Sequence, residues 1–298
     1  MQPVKKYSGH IPSIALIAAM VLWASSFIAL KIAFRGYDPM VVIFGRMFVA
    51  SLCFLVVGKR LAQSLDYRRG DYKLIGFMAF CEPCLYFIFE AKAIENTTAS
   101  QAGLITAMLP ILVMAAACFL LKEVVKKRAW FGATIAVIGV CWLTAESTPT
   151  ADAPNPILGN FYEFLAMVCA TGYTISLKKL TSRYSPFFLT AMQAVLGSVF
   201  YLPLLFLPTT EMPHSFELVP FIAILYLGGV ITLGAYGLYN FGLKHVPASR
   251  AAIYVNMIPV FSVILGWAIL GETLSGSQSI AAMVVMVGVV LSQYEKSN

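Results

Sequence analysis

Long runs of apolar residues, broken only by short polar or charged clusters, fill nearly the whole chain. A helix crossing a bilayer core of roughly 30 Å needs about 20 predominantly apolar residues. Ten runs approach that length, at 11–34, 40–58, 73–93, 98–121, 129–146, 157–179, 186–207, 217–243, 247–270 and 277–294. The third is the least uniform, because Glu82, Pro83, Glu90 and Lys92 interrupt it. The runs do not alternate as barrel strands do over about ten residues; Ala102–Leu121 is apolar on nearly every side. The pattern predicts an all-α membrane protein with ten transmembrane helices, short connections and no inserted soluble domain. The first run exceeds the apolar region of a cleavable signal, which spans roughly 7–15 residues, and is read as a membrane helix.

Composition agrees with a hydrocarbon surrounding. Of 298 residues, 59% are hydrophobic and 12% are charged, against about 25% charged in soluble domains. Positive charge is distributed unevenly. Short loops on the cytoplasmic side of a membrane collect Lys and Arg, and with ten spans the even-numbered connections share a side with both termini. That side holds 17 of the 21 basic residues: Lys5 and Lys6, the cluster from Lys59 to Lys73, the cluster from Lys122 to Arg128, then Lys178, Lys179, Arg183, Lys244, Arg250 and Lys296. Both termini are therefore expected in the cytoplasm. The net charge of +7 reads as a topology signal, and no nucleic-acid partner is needed to explain it.

The chain also repeats itself. At a shift of 149 residues, Ala99-Ser100 and Pro110 fall on Ala248-Ser249 and Pro259, Glu123 falls on Glu272, and Gly139 on Gly288. Earlier in each half a shift of 147 aligns Leu30-Lys31 with Leu177-Lys178, Pro39 with Pro186, and Arg46 with Gln193. The units so defined are 11–146 and 157–294. Five spans is an odd number, so the second unit must enter the membrane inverted. Inverted repeats place substrate sites near the midplane between the halves, and alternating access is the function that uses such symmetry.

Trp23-Ala24-Ser25-Ser26-Phe27 in the first run, Arg46 in the second, the Ala-Ser…Pro pattern of the fourth and ninth, and Gly271-Glu272 at the end of the ninth resemble the drug/metabolite transporter superfamily, specifically its EamA-type members. The first copy departs slightly, with Lys122-Glu123 in place of Gly-Glu. The resemblance covers essentially the whole chain. It implies a ten-helix carrier of small metabolites, commonly an exporter of amino acids or related compounds, with a cavity formed by helices one, three, four, six, eight and nine.

Charges inside a membrane are costly, from roughly 2.5 kcal/mol upwards at a helix centre, and call for partners, water or a function. Glu82 lies near mid-depth in the third span, with Tyr86 and Glu90 following on the same helical face. Pro83 removes a backbone donor and bends the helix. Glu82 and Tyr86 are expected to face a wet cavity, though a strut between helices is the alternative for Glu82. Arg46 and Glu90 match in depth and are expected to form a structural ion pair. Trp23 and Ser26 sit midway along the first span, Tyr173 with Thr174 in the sixth, Tyr236 with Asn240 in the eighth, and Tyr254 and Asn256 in the ninth; buried Tyr and Asn need partners. Substrate-binding candidates are thus Trp23, Ser26, Glu82, Tyr86, Tyr173, Tyr236, Tyr254 and Asn256. Pro83, Pro110 and Pro259 are candidate kinks. Tyr7, Tyr184 and Tyr294 are read as interfacial belt residues. Glu123 and Glu272 are read as structural, accepting bonds from the first turns of helices five and ten. Gly228, Gly229, Gly234 and Gly237 predict close packing of the eighth helix.

The remaining chemistry is excluded by type. Cys81 and Cys84 have redox spacing but lack the βαβ context that motif needs. His10, His214 and His245 lie near span ends, so no His-based metal site is expected, and no cofactor. No GxxxxGK[ST] motif is present, so pumping must draw on a gradient, with protons a candidate. A secondary exporter of amine-bearing metabolites is favoured over a lipid flippase, whose groove would be apolar, and over a membrane enzyme, which needs a nucleophile or an acid–base set.

Overall fold

The computed structural model describes residues 10–57, 69–121, 125–181, 183–245 and 254–293. Among them the chain is helical, with a lone β-bridge between Thr150 and Ala153. Among the described residues the helical segments group into ten consecutive rods. α1 is Ile11–Phe34 and α2 Pro39–Val57. α3 runs as Asp71–Ala79, a wide π-type turn at Phe80–Leu85, and Tyr86–Asn96. α4 is Ala99–Ile105, a tight turn at Thr106–Met108, and Leu109–Leu121. α5 is Lys127–Ala145, α6 Pro156–Leu180 and α7 Pro186–Leu204. α8 is Leu218–Leu225, a π-type stretch at Tyr226–Ala235, and Tyr236–His245. α9 is Met257–Leu265 with Gly266–Leu270, and α10 Gly276–Gln293.

Eight rods are long and apolar enough to cross a membrane; α6 and α9 stand outside that set. α6 has the length, at 25 residues, but carries Asn160, Glu163, Lys178 and Lys179. The surface is lipid-like: Leu55, Phe119, Phe131, Phe206 and Trp267 are all more than 60% exposed. The interior is correspondingly polar, burying Arg46, Glu82, Glu90, Gln101, Asn160 and Glu163. Chain of this composition, with such a surface, is a multi-pass membrane protein.

α1 is the central post. Its Leu16, Met20, Phe27 and Leu30 anchor an apolar cluster with Ala223, Leu227 and Ile231 of α8 and Ile258 of α9. Around it α3 packs along α6, α2 along α7 and α8, and α4 along α9 and α6. α5 and α10 pair closely, where a Cβ on Gly288 would lie 2.3 Å from the Ala136 nitrogen and one on Gly132 would lie 2.3 Å from the Ser292 nitrogen. Small residues at such contacts let backbones meet.

Three expectations change. Close packing holds at Gly228 alone among the four α8 glycines: a Cβ there would meet the Arg46 carbonyl at 2.7 Å, while Gly229, Gly234 and Gly237 face open or ordinary space. Glu272 binds the first turn of α4, not of α10. Its carboxylate accepts from Ala99 N and Ser100 N, both at 2.8 Å, and from Ser100 Oγ at 2.6 Å. That placement is favourable because a helix N-terminus carries partial positive charge. Tyr184 is 3% exposed and donates to Asp71 at 2.7 Å, so it is a buried tether and not a belt residue. Arg183 grips the same carboxylate at 2.8 and 2.9 Å. Glu123, Tyr7 and Tyr294 lie outside the described residues.

Candidate functional site

The site is organised by a break in α3. Glu82 is extended, with φ −148° and ψ 117°, inside an otherwise helical rod, and Pro83 follows on a cis peptide bond. A helix broken in hydrocarbon exposes carbonyls that cost several kcal/mol each if left bare. α7 covers them. Gln193 Nε2 donates to the Glu82 carbonyl at 3.0 Å, and the Tyr201 hydroxyl lies 3.0 Å from the Pro83 carbonyl and 2.5 Å from that of Cys84.

The break leaves the Glu82 side chain inside the bundle, 5% exposed, where Tyr236 of α8 donates to its Oε1. Trp23 of α1 meets the Tyr236 ring edge-on at 5.2 Å and the Tyr239 ring at 4.8 Å. One turn past the break, Tyr86 donates to Glu90 Oε1 at 3.1 Å. The other Glu90 oxygen lies 3.5 Å from Arg46 Nη1. Arg46 also donates from Nε to Thr232 at 3.1 Å and lies over the Phe87 ring at 4.1 Å. Its three neighbours hold the guanidinium from α3 and α8 at once.

These groups wall a cavity of about 80 Å³, on a scale where one water needs roughly 10–15 Å³. Trp23, Ser26 and Phe27 come from α1, Arg46 from α2, and Glu82, Tyr86 and Glu90 from α3. Thr106 and Leu109 come from α4, Met167, Ala170, Tyr173 and Thr174 from α6, and Tyr236 and Tyr239 from α8, with Val255 and Ile258 closing the wall beside α9. Formally the lining holds two carboxylates and one guanidinium. The Trp23 indole nitrogen and the Tyr173 hydroxyl are buried without a hydrogen-bond partner. Behind Glu82 a pocket of about 10 Å³, bounded by Thr190, Gln193 and Thr232, has room for about one water.

Six of the eight substrate candidates meet at this cavity: Trp23, Ser26, Glu82, Tyr86, Tyr173 and Tyr236. Tyr254 packs against the apolar cluster around α1. Asn256 donates to Gln293 Oε1 at 2.7 Å, tying the start of α9 to the end of α10. Asn240 donates to Thr190 of α7 at 3.0 Å. Pro110 follows the tight turn of α4, and Pro259 follows an interruption at Asn256 with helical Tyr254 and Val255 before it, where the missing N–H removes a bond back to the preceding turn.

The chain matches the EamA-like transporter family over residues 10–145 and again over 157–294. It belongs to that family. Similar proteins include the uncharacterized transporter YetK of Bacillus subtilis, 25% identical over 98% of this chain and 89% of that protein. An uncharacterized transporter of Archaeoglobus fulgidus is 26% identical over 93% of this chain and 95% of its own. The WAT1-related protein At3g02690, chloroplastic, of Arabidopsis thaliana is 24% identical over 95% of this chain and 69% of that protein. A crystal structure of a further protein superposes with a TM-score of 0.67 at 17% identity, covering 94% of this chain and 95% of the other; that likeness concerns the fold alone.

In this EamA-like transporter, sequence reasoning overlooked one buried acid. Glu163 of α6 is 0% exposed, and both its carboxylate oxygens lack a hydrogen-bond partner. The signal was available, since Glu163 is the sole charged residue between Pro156 and Leu177.

Proposed function

We propose that the protein is a secondary active exporter of the cell (inner) membrane, moving small amine-bearing metabolites, amino acids first, by alternating access between two inverted five-helix repeats. The observation that carries the substrate class is the charge balance of the cavity. Arg46 pairs with one carboxylate, Glu90, and reaches the second, Glu82, only through its field, so one guanidinium stands against two carboxylates and Glu82 has no salt-bridge partner. An ammonium group supplies the missing charge through charge-assisted hydrogen bonds, and the rings of Trp23, Tyr236 and Tyr239 add cation–π attraction. The unpartnered donor Trp23 Nε1 suits the carboxylate end of an amino acid. A phosphate or dicarboxylate finds no free cation there.

The repeat reading, with α6 and α9 also spanning, is supported by the packing. Exchanging each helix with the one five places along maps α1 on α8 to α6 on α3, and α1 on α9 to α6 on α4. The same exchange maps α2 on α8 to α7 on α3, and sends α2–α7, α4–α9 and α5–α10 onto themselves; every one of these contacts is present. Transport assays in proteoliposomes with a panel of radiolabelled amino acids, polyamines and dicarboxylates test the reading. Amine-bearing compounds are expected to exchange, and transport of dicarboxylates alone would reject the class.

A further inference from the structure

Glu163 has no place in the site as described so far. It lies on α6 four residues before Met167, which lines the cavity, and seven before Ala170, which also does; positions four and seven apart share a helical face. It therefore stands one turn beyond the cavity wall on the same stripe. Three rods pack against α6. From α3, Glu90 and Tyr86 act electrostatically on the Glu163 carboxyl. α4 carries no charged residue from Ala99 to Leu121, and α5 none from Ala129 to Ala145. The acid thus faces one like charge, one phenol and no cation.

A bare carboxylate in such a place is far more costly than a neutral carboxyl, and a group so placed neutralises by taking a proton. A metal cation is a poor alternative occupant, since hard cations collect several oxygen ligands and neither Glu163 oxygen has a hydrogen-bond partner among the described residues. We propose that Glu163 is the proton-carrying site of this transporter, separate from Glu82, which holds the substrate amine. The exchange involves one O–H bond. The proton leaves a Glu163 oxygen for water on one side of the membrane, and the carboxylate is reprotonated from the other side. No electron is transferred, and one proton moves against one substrate molecule, without net charge for a singly cationic amine and with one net charge for a zwitterionic amino acid. Glu90 acts electrostatically on both acids and is bonded to Tyr86 and Arg46, so charge at Glu163 is felt at the cavity through it.

This assignment rests on the reading of the protein as a gradient-driven transporter, and the test separates the two. Infrared spectra of the purified full-length protein at neutral pH are expected to show a protonated carboxyl band that persists in Glu82→Gln and is lost in Glu163→Gln. In proteoliposomes, Glu163→Gln is expected to keep counterflow of a radiolabelled L-amino acid mixture within about twofold of the parent and to lose its acceleration by a pH gradient. Absence of the band from the parent protein overturns the proposal whether or not the variant folds. So does persistence of the band, or of pH-gradient acceleration, in Glu163→Gln, and so does a sodium gradient that replaces the pH gradient. A parent protein that shows the band yet carries no amine keeps the proton site and sinks the substrate class instead.

Discussion

Replacing Arg46 by Ala removes the centre of three contacts: the Glu90 pair at 3.5 Å, the Thr232 bond at 3.1 Å and the Phe87 ring contact at 4.1 Å. Deleting one partner of a buried ion pair costs about 3–5 kcal/mol, because the remaining charge stays buried. Here the separation exceeds the 2.7–2.9 Å usual for a charge-assisted bond, and Tyr86 still serves one Glu90 oxygen. The low end, about 3 kcal/mol, is therefore expected. At roughly 2–4 °C per kcal/mol, the scale of soluble domains of about 150–250 residues, the melting temperature of detergent-purified Arg46→Ala should fall by about 10 °C. Fluorescence-detected thermal unfolding reads the fall directly. Adding Glu90→Gln removes the orphaned charge and should recover most of the loss, a coupling that a double-mutant cycle isolates. An Arg46→Ala protein that melts like the parent while transport fails would refute this reasoning and place Arg46 on the substrate path.

Glu82→Gln should retain the fold and weaken amine binding by about 10–100-fold, the worth of a hydrogen bond to a charged group at roughly 1.5–3 kcal/mol; unchanged affinity in a scintillation-proximity or counterflow assay removes Glu82 from the site. Glu272→Ala strips three bonds from the first turn of α4 and should lower stability by about 1–2 kcal/mol, as cap deletions do, whereas an effect confined to α10 would restore the partner expected from sequence. Cysteines introduced between Lys59 and Lys73 should resist impermeant reagents in intact cells, and their ready labelling would reverse the orientation argued from charge.

Much of the fold was legible because lipid enforces it. Apolar runs long enough to cross, and the absence of alternation, leave helices as the remaining architecture. The acid Glu82 and the pair Arg46–Glu90 were readable for the same reason, as charges in hydrocarbon are rare and need an account. What escaped the sequence was direction. Tyr254 and Asn256 share the depth of the cavity residues, yet the chain beside α9 turns Val255 and Ile258 inward in their place. Glu272 was assigned to its sequence neighbour because short-range partners are the ones a sequence exposes; its bonds to Ala99 and Ser100 span more than half the chain. Tyr184 looked interfacial by position, and only the fold brings Asp71 beneath it. The break at Glu82 was expected from Pro83, but its cover by Gln193 and Tyr201 was not.

That cover bears on how functional screens of this protein should be interpreted. Gln193 and Tyr201 touch backbone alone at the break, yet their loss would disturb the backbone that aims Glu82. A library scored by growth or uptake would rank both among substrate-recognition positions, beside Trp23 and Tyr236. Their signature differs in kind. Raising substrate concentration compensates a weakened ligand, but it cannot re-cover a carbonyl in hydrocarbon, so such variants lose folded protein before they lose affinity. For the same reason α7 cannot slide past α3 without exposing bonds that lipid will not replace.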